Sequence, residues 1–118
     1  MFIQLNNYVV VYMLTQRDVQ KHRKRFTEKD LSASALFKIL GDTNRYRILL
    51  LLAGSPLLFS IGSIAKILDI SLPLASQHIR LMVHAHVLQK KRDGKRVYIT
   101  PERRNPLLTS IIKILKRT

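Results

Sequence analysis

Cysteine and tryptophan are absent from the 118 residues, and acids are scarce, with seven Asp and Glu against 21 Lys and Arg for a formal net charge of +14. Without cysteine there is no disulfide framework, no thiol redox switch and no Cys-ligated metal site. Between residues 31 and 92 the only acids are Asp42 and Asp69, so neither a paired-carboxylate nor a Ser-His-Asp arrangement can be placed. The four histidines, His22, His78, His84 and His86, have too few acids near them to complete a metal cluster, and they read as structural or solvated. The expectation is a protein with no catalytic residues, no metal and no cofactor. Long apolar runs are missing too. Tyr8–Leu14 is seven residues, against roughly 20 needed to span a bilayer, and Met1–Asn7 lacks a positive n-region. A soluble, cytoplasmic protein with no membrane partner is expected.

What is present is a hydrophobic content of 47%, enough for one core and one domain. The excess of cations favours a polyanionic partner, nucleic acid or an anionic surface, over acidic small molecules. Residues 88–118 carry ten lysines and arginines against Asp93 and Glu102, which is eight of the fourteen net charges.

Residues 1–14 are aromatic and β-branched, suited to a short strand. Residues 15–30 are polar and free of Pro and Gly, which predicts a solvated helix or mobile arm, with a basic arm tracking a nucleic-acid backbone as the alternative. Asp30 or Ser32 can cap a helix bearing Leu31, Ala35, Leu36, Ile39 and Leu40 on one side, and Gly41 ends it. Asp42 caps a helix over 43–53 that stops at Gly54-Ser55-Pro56, and Ser60 caps one over 61–69 with Ile61, Ile64, Ala65 and Leu68 facing a core. Asp69-Ile70 is read as a turn.

Ser71 caps the next helix, with Pro73 in its first turn, where a missing N–H costs nothing. At 100° per residue, Pro73, Ser76, Gln77, Arg80 and His84 share one arc, and Ala75, Ile79, Met82 and Val83 lie opposite, toward the core. The exposed arc carries hydroxyl, amide and guanidinium groups and no acid; these groups bond base edges and phosphates. Val87–Lys91 and Lys95–Thr100 then flank Asp93-Gly94, a strong hairpin signal, and Pro101 ends the second strand. Asn105-Pro106 opens a last helix whose Leu107, Leu108, Ile111, Ile112 and Leu115 form one apolar stripe, placed either on its own domain or against a second subunit.

Taken in order, residues 32–117 resemble the ArsR/SmtB family of prokaryotic winged helix-turn-helix repressors. Three stretches carry the resemblance: Leu36-Phe37-Lys38-Ile39-Leu40-Gly41-Asp42-Thr43-Asn44-Arg45-Tyr46-Arg47-Ile48-Leu49, Ser71-Leu72-Pro73-Leu74-Ala75-Ser76-Gln77-His78-Ile79, and Arg92-Asp93-Gly94-Lys95-Arg96-Val97-Tyr98. The resemblance implies a mainly α fold with a small β hairpin, about five helices plus a two-stranded wing. It implies a homodimer joined through the first and last helices, here Leu36 with Leu107, Leu108, Ile111, Ile112 and Leu115. It further implies that the Ser71 helix enters the major groove of double-stranded DNA, with Ser71, Leu72, Ser76, Gln77 and Arg80 as readers and Lys91, Arg92, Lys95 and Arg96 as wing contacts. Leu72 stands where the family often has Gln, and its side chain is suited to a thymine methyl. His86 replaces a family glycine where a left-handed backbone is expected, at a cost of about 1 kcal/mol.

The family's metal-sensing ligands are missing: residues 58–63 read Leu-Phe-Ser-Ile-Gly-Ser, and residues 105–118 contain no His, Asp, Glu or Cys. The implied function is a dimeric, sequence-specific transcriptional regulator, a repressor independent of metal, with its effector unspecified. A non-specific architectural protein on the same scaffold is the alternative, and a winged domain that binds protein is a third. Residues 1–30 form an N-terminal extension, part of the dimer interface or a basic arm, ahead of a DNA-binding domain over 31–118.

Overall fold

The computed structural model describes residues 2–5 and 9–116, with side chains from Met13 onward. The chain divides into two compact units, Met1–Ser32 and Ala33–Thr118.

In the first unit the short strand expected near the N-terminus is a pair. Strands β1 (Phe2–Leu5) and β2 (Val9–Tyr12) run antiparallel, with Phe2 opposite Tyr12 and Leu5 opposite Val9. Helix α1 (Gln16–Arg23) begins at a capping box in which the Asp18 N–H donates to Thr15 Oγ1 at 3.1 Å and the Thr15 N–H donates to Asp18 Oδ2 at 2.9 Å. Those bonds, from the Thr15 N–H first and then its hydroxyl, hold the Asp18 carboxyl below its ordinary pKa. No residue of α1 is buried, as a solvated helix requires.

Helix α2 (Glu28–Leu40) starts earlier than a cap at Asp30 or Ser32 would allow. Asp30 acts from inside the first turn, its Oδ2 accepting the Thr27 N–H at 2.8 Å, while Thr27 Oγ1 accepts the Lys29 N–H at 3.3 Å. Gly41 ends α2 without a left-handed conformation; its N–H reaches the Lys38 carbonyl at 3.3 Å.

In the second unit, helix α3 (Thr43–Ala53) is capped by Asp42, which accepts the Arg45 N–H at 3.1 Å, and it closes at Gly54. Ser60 accepts the Ser63 N–H at 3.1 Å and starts helix α4 (Ile61–Leu68). Asp69 ends α4 in the left-handed region at φ 55°, where its N–H and that of Ile70 return to the Lys66 and Ala65 carbonyls. Two residues later Ser71 caps helix α5 (Leu72–His84), accepting the Leu74 N–H at 3.2 Å.

The end of α5 bears out the expectation for His86, which has φ 59°. Its N–H donates to the Val83 carbonyl at 3.1 Å and the Val87 N–H to the Met82 carbonyl at 2.9 Å, with Met82 and Val87 both fully buried. This is a Schellman close with its apolar clasp, and it turns the chain directly into the hairpin.

Strands β3 (Leu88–Asp93) and β4 (Arg96–Pro101) pair antiparallel, Leu88 opposite Pro101 and Asp93 opposite Arg96. The two-residue loop is therefore Gly94-Lys95, one position beyond the Asp93-Gly94 turn expected from sequence. Gly94, at φ 63°, takes the first loop position, where the hairpin geometry needs a positive φ. The Ile99 N–H also donates to the Phe59 carbonyl at 2.9 Å, so the connection before α4 adds a single bridge to the hairpin. Helix α6 (Pro106–Leu115) starts at Asn105, which accepts the Leu108 N–H at 3.2 Å.

The core of this unit is one apolar cluster: Ile48, Leu49, Leu52 and Ala53 of α3, Phe59 before α4 and Ile64 within it, Ile79 and Met82 of α5, Val87, Leu88 and Ile99 at the hairpin base, and Leu36, Leu108 and Ile112. Among the described residues there are six helices and two hairpins, and none of the helices is long and apolar enough to cross a membrane.

Candidate nucleic-acid interface

Helix α5 is held to the unit by one face. Ala75, Ile79 and Met82 are fully buried and Val83 half-buried, as the helical spacing predicts. That anchorage turns Pro73, Gln77, Arg80 and His84 outward, all exposed, with Ser76 half-buried at the edge. Ser71 and Leu72 stand exposed at the N-terminal end, Leu72 at 54%. The Ser71 hydroxyl already accepts the Leu74 N–H, so its proton is what it has left to offer a ligand. No acidic side chain belongs to α5.

A second contact meets α5 on its half-buried side. His78 Nε2 lies 4.0 Å from Asp42 Oδ1, its side chain only 11% exposed. The Asp42 carboxyl is held below its ordinary pKa, chiefly by the Arg45 N–H it accepts and then by the nearby His78 and Arg45. The cap of α3 and the side of the exposed helix thus share one carboxylate. The sequence reading of His78 as structural or solvated gave no partner, because the contact joins residues 36 positions apart.

The hairpin supplies the charge. Lys90, Lys91, Arg92, Lys95 and Arg96 are all exposed, and among the described residues none is ion-paired with a carboxylate. Successive strand residues point to opposite faces, so Lys91 and Arg92 are displayed on different sides of β3. Only Ala85, His86 and Val87 separate the end of α5 from the start of β3, so the cationic hairpin follows the acid-free helix closely along the chain.

The residues assigned to a subunit interface divide. Leu36, Leu108 and Ile112 are in the chain's own core, at 5%, 0% and 4% exposure, and have almost no area left for a second chain. Leu107, Ile111 and Leu115 are half-buried against that core, while Ile114, which the stripe reading left out, is 64% exposed. The physical reason is that α6 has one apolar face, and its own domain takes the centre of it.

Two apolar side chains on α5 were also missed. Leu74 and Leu81, at 36% and 41% exposure, flank the polar arc on the side of His78, and their i, i+7 spacing is the signal that could have found them. Among the described residues no three His, Cys, Asp or Glu side chains gather as metal ligands.

The chain matches no protein-family model and no curated protein sequence. Solved structures do match. The transcriptional regulator HlyU from Vibrio vulnificus superimposes with a TM-score of 0.68 at 22% identity, over 81% of this chain and 96% of that one. The transcriptional repressor PagR of Bacillus anthracis gives 0.64 at 26% identity, over 75% and 97%. Mb0332 from Mycobacterium bovis, described as a homodimeric winged helix-turn-helix DNA-binding domain and a possible ArsR-family regulator, gives 0.61 at 17% identity, over 91% and 88%. The fold of this chain is the winged helix-turn-helix: α4 and α5 are the helix pair, and β3–β4 is the wing.

Proposed function

We propose that this chain is a dimeric, sequence-specific DNA-binding transcriptional regulator of the ArsR/SmtB type, acting as a repressor without a metal or other cofactor. One observation carries the reading. A buried Ala75–Ile79–Met82 face presents an exposed, acid-free helix surface, continuous with a hairpin bearing five unpaired cations. Ser71, Leu72, Ser76, Gln77 and Arg80 then meet bases and phosphates in the major groove, and Lys91, Arg92, Lys95 and Arg96 meet the backbone. The likeness to PagR and to the homodimeric Mb0332 domain supports both regulation and dimerisation. In the dimer, Leu107, Ile111 and Leu115 contribute their uncovered edges together with Ile114, and residues 1–30 act as an extension beside the DNA-binding domain.

The five wing cations taken alone favour a second reading, a non-specific architectural protein, which predicts affinity that collapses with salt and no preferred sequence. Selection of bound fragments from host genomic DNA at about 0.15 M salt separates the two, since non-specific contacts are weakened there. The regulator reading expects a shared palindrome with half-sites about one helical turn apart. A featureless pool would sink it.

A further inference from the structure

At the foot of the wing a cavity of about 300 Å³ opens between the Ser55–Leu58 connection, the first half of β3 and the end of β4. Its apolar lining includes Leu52 and Ile99, and Leu57 and Leu58 stand 69% and 60% exposed on it. Its charges have one sign. Lys91 and Arg103 line it and no acid does. The adjacent carboxylate, Glu102, is already taken: Arg104 donates to it from its backbone N–H, from Nε and from Nη2, each at 3.1 Å. The Arg103 guanidinium therefore has no carboxylate partner among the described residues.

Thr100, opposite Gln89 in the hairpin, lines the same cavity, and its Oγ1 is buried with no hydrogen-bond partner. A broader depression of about 680 Å³ shares Ser55, Pro56 and Arg103 with the cavity and extends to Leu115 and Lys116, adding apolar wall and a further cation.

We propose that this cavity binds a medium-chain carboxylate, with its head on Arg103 and Lys91 and its hydrocarbon chain along Leu57 and Leu58. The volume is at the lower end of the range for small-molecule sites, roughly 300–1,000 Å³, which fits a medium-length acyl chain rather than a drug-sized ligand. Unpaired cations beside an apolar wall favour an amphiphilic anion over a bare ion or a neutral lipid, since each part of such a ligand finds its complement. Lys91 gives the site a regulatory consequence. A carboxylate that engages it withdraws one cation from the wing, so ligand and DNA compete. That coupling rests on the DNA-binding reading, whereas the binding itself does not.

The test is calorimetric titration of the full chain, without DNA, with sodium octanoate, acetate and 1-octanol. Octanoate is expected to saturate at one equivalent, with acetate and octanol each at least about tenfold weaker. Arg103→Gln, at an exposed position that leaves the fold intact, should weaken octanoate about tenfold, the scale of one charge-assisted hydrogen bond; Leu58→Ser should weaken it while leaving acetate unchanged. No saturable octanoate binding, equal binding of octanol or acetate, or an unchanged Arg103→Gln affinity overturns the site. Octanoate at saturation should then weaken binding to the selected operator about fivefold or more. Unchanged operator affinity overturns the coupling and leaves the site standing, and failure to bind any operator overturns the DNA reading while the titration still decides the site.

Discussion

Replacing Ile79 by alanine should separate the anchoring of α5 from its exposed function. Ile79 is fully buried in the core cluster, and the change deletes three carbons. At about 0.8 kcal/mol per buried CH₂ the transfer loss is roughly 2.4 kcal/mol. The cavity left behind raises the total to about 3–4 kcal/mol, inside the range of about 2–5 for such truncations. Against a typical domain stability of about 5–15 kcal/mol, this is a large fraction and should lower the melting temperature by more than about 10 °C. Chemical unfolding followed by far-UV circular dichroism measures it, with Gln77→Ala as the control on the opposite face, expected within about 0.5 kcal/mol of the parent. A loss below about 1 kcal/mol for Ile79→Ala, or a larger loss for Gln77→Ala, would refute the rotation assigned to α5 and with it the identity of the outward face.

Three further expectations follow from the local structure. Ser71→Ala removes the cap that accepts the Leu74 N–H and should cost about 1 kcal/mol by the same unfolding measurement; no change would show that another group caps α5. His86→Gly relieves a left-handed residue at the close of α5 and should stabilise the protein by about 0.5–1 kcal/mol, whereas His86→Val should destabilise it. The Asp42 carboxyl titrates lower in the folded chain than its ordinary 3.8, so the stability it contributes is present above that value and is lost as pH falls through the depressed folded one. Asp42→Asn keeps a capping oxygen but has no charge to titrate, so unfolding curves recorded across that acid range should flatten in the variant; an unchanged acid limb would show that Asp42 is not the group responsible.

The elements that the sequence made legible are those bounded by their own neighbours. Asp42, Ser60, Ser71 and Asn105 each cap a helix three residues from the N–H they accept, so cap and periodicity together define α3, α4, α5 and α6. The wing's strands were legible because an Asp-Gly pair joins them, but the loop fell one residue later, since Asp93 stays in the ladder opposite Arg96. Contacts between distant residues left no local trace. The Phe59 bridge to Ile99 and the His78–Asp42 tie are of this kind, and so is the burial of Leu36, Leu108 and Ile112 within their own domain. An apolar stripe announces that a helix will be covered, but not by what. For the candidate interface, the outward arc of α5 followed from its period alone. The cavity below the wing did not, because its walls come from three segments that meet only after folding.

Arg80→Ala decides whether the outward face of α5 reads sequence. With the operator recovered by selection, anisotropy titrations of parent and variant on that site, on single-base variants of it and on an unrelated duplex should show a loss of about 1–3 kcal/mol confined to the operator, with preference relaxed at one position. An equal loss on every duplex would make Arg80 a phosphate contact, and no loss on any of them would contradict the reading of α5 as the recognition helix.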